Sequence, residues 1–416
     1  MAKIVDSLKN LSVKNGVEPH ENNQQDCGQS KFILHVQRSY KGQGKTPRYV
    51  LSVCSSEQDQ GFKFGVVYTA CGLSHLGSLN NGMVPVTQMV QATYFFDDVS
   101  VIGMKFSRVN KNIIYIASEN GKIRTFDTRN AEKLVAEFKD DTKKDDAKSI
   151  ISFDVNCDDT LIAGGTEHTG GDAFILFWDV RYNKSGMKMK KKNTIAGGYW
   201  ESHMDDITCL SFNPVKPDVL ASGSTDGLIN VYDLAEPSED EALIHSLNTE
   251  SSVDKLGWSS SDSLWCTTHT NALQLWNCED ASPYARFERN HLAVSPDDDP
   301  DNCYVVKYHP TNVMFGRPFV LAGSSTPQGE KLRCLSIVND RLEMCDEIIG
   351  NNQVVRDSWV DEQNHLLLTG GEECFVNIWQ LKEKPMMSRE EYAHRGSARW
   401  VHKLNTEKHQ CRTKPY

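Results

Sequence analysis

HMDDITCLSFNPVKPDVLASGSTDGLINVYDL, residues 203–234, decides how the rest of the chain reads. After His203, the residues Ile207, Leu210 and Phe212 are spaced as the buried side chains of one strand. Asn213 to Pro217 makes a turn, Val219 to Gly223 is a second short strand, and Asp226-Gly227 is a tight hairpin signal. Leu228 to Asp233 is a third strand, rich in β-branched and bulky residues. Three short strands in so few residues cannot bury both of their faces alone, so the unit demands neighbours of its own kind.

Those neighbours are present. The closing strand recurs at Gly121–Asp127, Phe174–Asp179, Ala272–Asn277 and Phe375–Gln380, with weaker copies at Leu332–Ser336 and Leu73–Gly77. The opening strand repeats a bulky pair two residues apart: Met104/Phe106, Ile151/Phe153, Leu210/Phe212, Leu256/Trp258 and Val306/Tyr308, with Asp357/Trp359 as a polar departure. Repeats of about 40 to 60 residues, each of four short strands, predict an all-β fold, a β-propeller of seven blades. Through Trp178-Asp179 and the set His203, Ser222, Asp226 and Tyr232, the chain resembles the WD-repeat family. The resemblance implies a structural hydrogen-bond chain through those four residues, Tyr232 standing where the family has Trp. It also implies closure of the ring by an early strand, for which Phe32–Val36 is well placed; closure removes an open sheet edge.

Bulk properties bound the function. With 416 residues the chain is long enough for one large propeller, and its formal charge of −11 argues against general nucleic-acid binding. It has no apolar run long enough for a membrane span and no signal-peptide pattern at Met1–Asp6. Twelve cysteines without a C-x-x-C pair fit reduced thiols inside the cell, in nucleus or cytoplasm. The two glycosylation-like triplets at Asn10 and Asn183 are then chance matches. Residues 1–30 read as a flexible extension, 31–381 as the propeller and 382–416 as a basic, mainly disordered tail. That tail holds nine Lys/Arg against four Glu, a net +5, which leaves −16 on the rest of the chain.

Several stretches invite a sharper reading. Gly42-Gln43-Gly44-Lys45-Thr46 looks like a phosphate loop, but Ser39 occupies the position of the first glycine and Pro47 follows where a helix should begin. The hairpin Glu167–Asp172 offers a His and two carboxylates, yet a Gly-rich loop is a poor metal cage. The basic insertion Lys184–Lys192 and the mixed connector Lys139–Asp146 read as exposed loops, the insertion also as a steering or localisation patch. The acidic runs Glu236–Glu241 and Asp297–Asp301 lack calcium-loop spacing and read as solvated connectors. Trp258 and Trp359 match Phe212 and read as core.

No nucleophile elbow, zinc-protease motif or dinucleotide fingerprint is present, so no enzyme, cofactor, metal or small-molecule substrate is expected. Three roles remain. The first is a protein-interaction scaffold, because loops on a rigid frame carry function when no chemistry does. The second is a substrate receptor of a cullin-4-type ubiquitin ligase. It rests on Trp178-Asp179-Val180-Arg181, which resembles the W-D-x-R box such receptors present to their adaptor, with a second copy ending at Arg129. The third is a nuclear chaperone or chromatin adaptor that holds basic proteins on an acidic face, for which the charge split speaks.

Overall fold

Short strands punctuated by Gly, Asp and Asn turns give sheets that are apolar on both faces, and such sheets bury those faces only against one another. In the computed structural model this produces an all-β propeller. It describes residues 30–39, 49–58, 61–68, 73–79, 90–95, 100–140, 148–183, 195–362 and 364–382. Among them the strands group into seven four-stranded antiparallel sheets. The only α-helix there is Glu239–Ala242, beside three short 3-10 turns. The phosphate-loop-like segment, the basic insertion and all of the basic tail except Lys382 lie outside the described residues, as do residues 1–29.

Sheets 1 to 7 are numbered here by their first strands, Val50–Gln58, Val101–Phe106, Ile150–Val155, Cys209–Phe212, Val253–Trp258, Cys303–His309 and Val355–Asp361. In sheets 1 to 6 the four strands follow one another along the chain. Sheet 7 takes three late strands and completes itself with Phe32–Ser39, which pairs antiparallel to Phe375–Leu381 with Phe32 opposite Leu381 and Ser39 opposite Phe375. The Lys382 amide donates to the Lys31 carbonyl at 2.7 Å and extends this junction.

Each core lies between neighbouring sheets. Phe32, Val306, Phe319, Leu321, Val360, Leu367, Trp379 and Leu381 form one such cluster. The third strands send their largest side chains inward: Trp178, Trp276, Trp379 and Tyr232 are fully buried. The register corrects two sequence-level alignments. Ladder partners make Phe106, Val155, Phe212, Trp258, Tyr308 and Val360 equivalent, so the repeated pairs in sheets 3 and 7 are Phe153/Val155 and Ser358/Val360. Trp359 is therefore one position off the Phe212 site. It is only partly buried, packed against the cluster of sheets 7 and 1.

The first strands of consecutive sheets touch one another, and each leaves one edge without a ladder partner. Side chains from neighbouring sheets fill that role. Asp154 accepts from the Phe212 amide at 2.8 Å and from Lys105 Nζ at 2.7 Å. Asp357 accepts from the Val53 amide at 2.9 Å and from Lys307 Nζ at 3.1 Å. Lys255 Nζ donates to the carbonyls of Val306 at 2.8 Å and Arg356 at 2.7 Å, while Trp258 Nε1 donates to the Ser211 carbonyl at 2.9 Å. Buried backbone groups are costly to leave unmatched, so these contacts set the spacing of the sheets.

Phe32 is 3% exposed and sits in the cluster that joins sheets 6 and 7. Phe32→Ala should lower the unfolding free energy by about 3–5 kcal/mol, as truncations of a buried aromatic ring do. Urea unfolding followed by intrinsic fluorescence measures this, and a loss under about 1 kcal/mol would mean that the early strand does not close the sheet.

Candidate functional site

Two groups of polar residues stand out in the sequence, and the structure treats them differently. The first lies where the last strand of sheet 3 passes into sheet 4. His203 ends the strand Gly197–His203, Ser222 belongs to the second strand of sheet 4, and Asp226 lies in the hairpin that follows. Gly227 takes the left-handed conformation (φ +86°) that the turn needs. His203 Nδ1 is 2.9 Å from Asp226 Oδ2 and Nε2 is 2.7 Å from Ser222 Oγ. Asp226 also accepts from the amides of Leu228 at 2.9 Å and Met204 at 3.2 Å. Burial pushes the Asp226 carboxyl up, but the hydrogen bond and charge of His203 and the two amides outweigh it, and the net shift is down.

Tyr232 corrects the four-membered chain expected from the sequence. Its hydroxyl is buried near Ser202, Ser222 and Asn230 but makes no hydrogen bond of normal geometry. In sheet 7 the equivalent residues do connect, Trp379 Nε1 donating to Thr369 Oγ1 at 3.0 Å.

A serine, a histidine and an aspartate in contact could suggest nucleophilic catalysis. Here Ser222 has zero exposure and His203 is 2% exposed, so no substrate atom reaches either. A second Ser–His pair, Ser358 with His309 at 2.9 Å, is equally enclosed. Burial, reinforced by Lys307, holds the His309 imidazole down at about 3.

The second group is the W-D-x-R run. Trp178 is fully buried and its indole N–H donates to the Lys139 carbonyl at 3.0 Å, so Trp178 cannot itself touch a partner. This removes it from the interaction candidates. Arg181 is different: its side chain is 68% exposed and grips Asp179 twice, Nε to Oδ1 at 3.0 Å and Nη2 to Oδ2 at 2.7 Å. Arg129 repeats the arrangement on Asp127, with Nε to Oδ1 at 3.0 Å, Nη2 to Oδ2 at 2.6 Å and 67% exposure. The Arg181 guanidinium holds the Asp179 carboxyl below its usual value. Exposed ion pairs stabilise little, so what these clamps supply is orientation. Both guanidinium groups stay largely exposed.

Both clamps lie in turns between the third and fourth strands of adjacent sheets, on one face of the propeller. Val109 and Val215, in turns between first and second strands, share that face at 64% and 70% exposure.

Two acidic runs expected to be solvated are partly built in. Glu239 accepts from the amides of Trp200 at 2.7 Å and Glu201 at 3.0 Å, and from Ser202 Oγ. Asp298 is buried against the nearly buried Arg333, with Nη1 to Oδ2 at 2.6 Å. In the Glu167–Asp172 hairpin the His168 amide donates to Asp206 at 2.7 Å. No cluster of three or more His, Cys, Asp or Glu that could hold a metal occurs among the described residues.

The residues that the sequence reading missed are the charged groups between the sheets, Lys105, Asp154, Lys255 and Lys307. Their signal was a charge set between apolar neighbours in an opening strand, as in Met104-Lys105-Phe106.

Stacked four-stranded sheets, an early strand that completes the last sheet, and the His–Ser–Asp network define the class: a β-propeller of the kind found in WD-repeat proteins, to which the chain is similar. No protein-family model matches it. It is similar to an uncharacterized WD repeat-containing protein of Saccharomyces cerevisiae, 28% identical over 296 residues, or 70% of this chain and 69% of that protein. It is also similar to WD repeat-containing protein GTS1 of Arabidopsis thaliana, 32% identical over 208 residues, or 49% of this chain and 48% of that protein. A WD repeat-containing protein 89 homolog of Dictyostelium discoideum is 34% identical over 130 residues, 31% of this chain and 32% of that protein. Thus the chain matches about half of the Arabidopsis protein and a third of the Dictyostelium one.

Asp226→Ala should cost about 1–3 kcal/mol at neutral pH by leaving His203 and two amides short of an acceptor. Because the folded carboxyl titrates below its unfolded value, its contribution is present above the unfolded pKa and lost as pH falls through the folded one. The variant should therefore lose less stability than wild type on acidification. Chemical denaturation at pH 7 and pH 3.5 checks both parts, and an unchanged midpoint at pH 7 would overturn the structural role.

Proposed function

We propose that the protein is a non-enzymatic interaction scaffold whose seven sheets are the blades of one closed ring. The ring holds its turns and outer strands in fixed relative positions, and proteins dock on them. The observation that carries this reading is the repeated clamp: Arg129 and Arg181 are presented in the same way, on adjacent sheets and the same face. A side chain already fixed by its own Asp loses less freedom when it binds, so a partner gains affinity without ordering it. Guanidinium groups on the same face as exposed Val109 and Val215 fit a protein surface that offers carboxylates among apolar groups. Trp178 supports that surface from within, and Asp179 orients Arg181.

The same geometry favours a second reading, a substrate receptor whose adaptor in a cullin-4-type ubiquitin ligase engages Arg181 and Arg129. A role as a nuclear chaperone or chromatin adaptor has less behind it, because Glu239 and Asp298 are spent on internal contacts. Burial raises most of the described cysteine thiols, which supports a reducing compartment in nucleus or cytoplasm.

Affinity purification from cells with wild type and with the Arg129→Ala/Arg181→Ala double variant tests the surface. The expected result is a set of co-purifying proteins reduced about tenfold or more by the double variant at unchanged melting temperature. Recovery of a cullin and its adaptor within that set selects the ligase reading, and identical sets from both forms would rule the clamped face out as the docking surface.

A further inference from the structure

The carboxylate that caps the rim of sheet 3 stands next to a hydroxyl that takes no part in contacts between sheets. Glu239 closes that edge by accepting the Trp200 and Glu201 amides and Ser202 Oγ. Ser238 precedes it, in the connection between the third strand of sheet 4, Leu228–Asp233, and the fourth, Leu243–Asn248. Glu236, Pro237 and Ser238 are all exposed. The Ser238 backbone is extended (φ −128°, ψ 158°) and leads into the single helical turn Glu239–Ala242. Its hydroxyl accepts from the Glu241 amide at 3.3 Å and donates to Glu241 Oε2 at 3.0 Å.

The charge around this hydroxyl has one sign. Glu239, Asp240 and Glu241 follow it, and no other described serine or threonine has carboxylates at the next three positions. Glu236 stands two residues before it, and no Lys or Arg occurs from residue 217 to residue 254. Asp240 and Glu241 are exposed, so a basic cleft can reach them together with the hydroxyl. The helical turn rests on two backbone bonds, from the Ala242 amide to the Ser238 carbonyl and from the Leu243 amide to that of Glu239. A single turn has little stability of its own, so opening it to fit a cleft is easy.

We propose that Ser238 is a phosphorylation site for a serine kinase whose basic cleft selects acidic residues after the hydroxyl, and that the phosphate loosens the cap on sheet 3. Ser238 Oγ forms the new bond to the γ-phosphorus of ATP, and the bond from that phosphorus to the β–γ bridging oxygen breaks. ADP leaves with the electron pair, and the hydroxyl proton passes to the kinase's base. The product has lost the donor that held Glu241 and carries about −2 charge beside Glu239 and Glu241. Like charge drives these carboxylates away. The amides of Trp200 and Glu201 then lose their acceptor, which leaves that edge of the rim open.

The test incubates the full chain with MgATP and casein kinase 2, an acid-directed serine kinase, and maps the product by mass spectrometry. Phosphate should appear on Ser238. Its rate of appearance there should fall about tenfold or more in Asp240→Asn/Glu241→Gln, which keeps the hydroxyl. Amide hydrogen exchange then reads the cap: in the phosphorylated chain Trp200 and Glu201 should exchange about tenfold faster or more. Ser238→Ala should exchange at these two amides equally before and after the same treatment. No phosphate on Ser238 of the folded chain would overturn the site, and an undiminished rate in the double variant would overturn its selection by the acidic run. Unchanged exchange at Trp200 and Glu201 after phosphorylation would overturn the effect on the cap.

Discussion

The first strand of every sheet has a neighbour on one side only, and its other edge faces the middle of the molecule, where no further strand can pair. Unpaired N–H and C=O groups held away from bulk water destabilise a fold by about as much as a lost hydrogen bond each. The chain meets this constraint with side chains from adjacent sheets. Asp154 and Asp357 accept from the amides of Phe212 and Val53, while Lys255 and Trp258 donate to carbonyls. Every one of these bonds crosses from one sheet to another. The polar groups that satisfy the edges therefore also fix how far apart the sheets stand.

That arrangement explains how polar residues come to be buried here with their hydrogen bonds met. His203, Ser222 and Asp226 satisfy one another at the junction of sheets 3 and 4, and His309 with Ser358 does the same between sheets 6 and 7. The outer strands pose the same problem on the rim. Glu239 answers it in one place by taking the amides of Trp200 and Glu201, which an extending strand would otherwise use. With inner edges stitched and part of the rim capped, what remains open on one face is a rigid array of turns, among them the two Asp-clamped arginines.

The strand pattern was legible because short apolar runs recur between Gly, Asp and Asn turns, and the early strand was legible because Phe32–Val36 has the same composition as the strands it joins. Register was not fully legible. Phe153 and Val155 are both apolar, and Trp359 looks like a core residue, so composition alone could not say which position faces which sheet. Arg181 was visible from its motif, but the burial of Trp178 beside it depends on packing between sheets. The inner-edge charges were written in the sequence as single Lys or Asp residues within apolar strands. Their partners lie tens of residues away, about 50 for Lys105 with Asp154 and 58 for Phe212 with Asp154, and no local pattern encodes that pairing. The acidic loops misled for the same reason, since Asp298 meets Arg333 only in the fold.

Amide hydrogen exchange at Phe212 and Val53 tests the stitched inner edge most directly. Neither amide bonds to its own ladder on that edge, so its protection reports on Asp154 or Asp357 alone. In wild type both should exchange as slowly as the ladder amides of sheets 4 and 1. In Asp154→Ala, exchange at Phe212 should accelerate while Val53 stays protected. Rapid exchange of both amides in the intact wild-type protein would contradict the claim that cross-sheet carboxylates satisfy the inner edges.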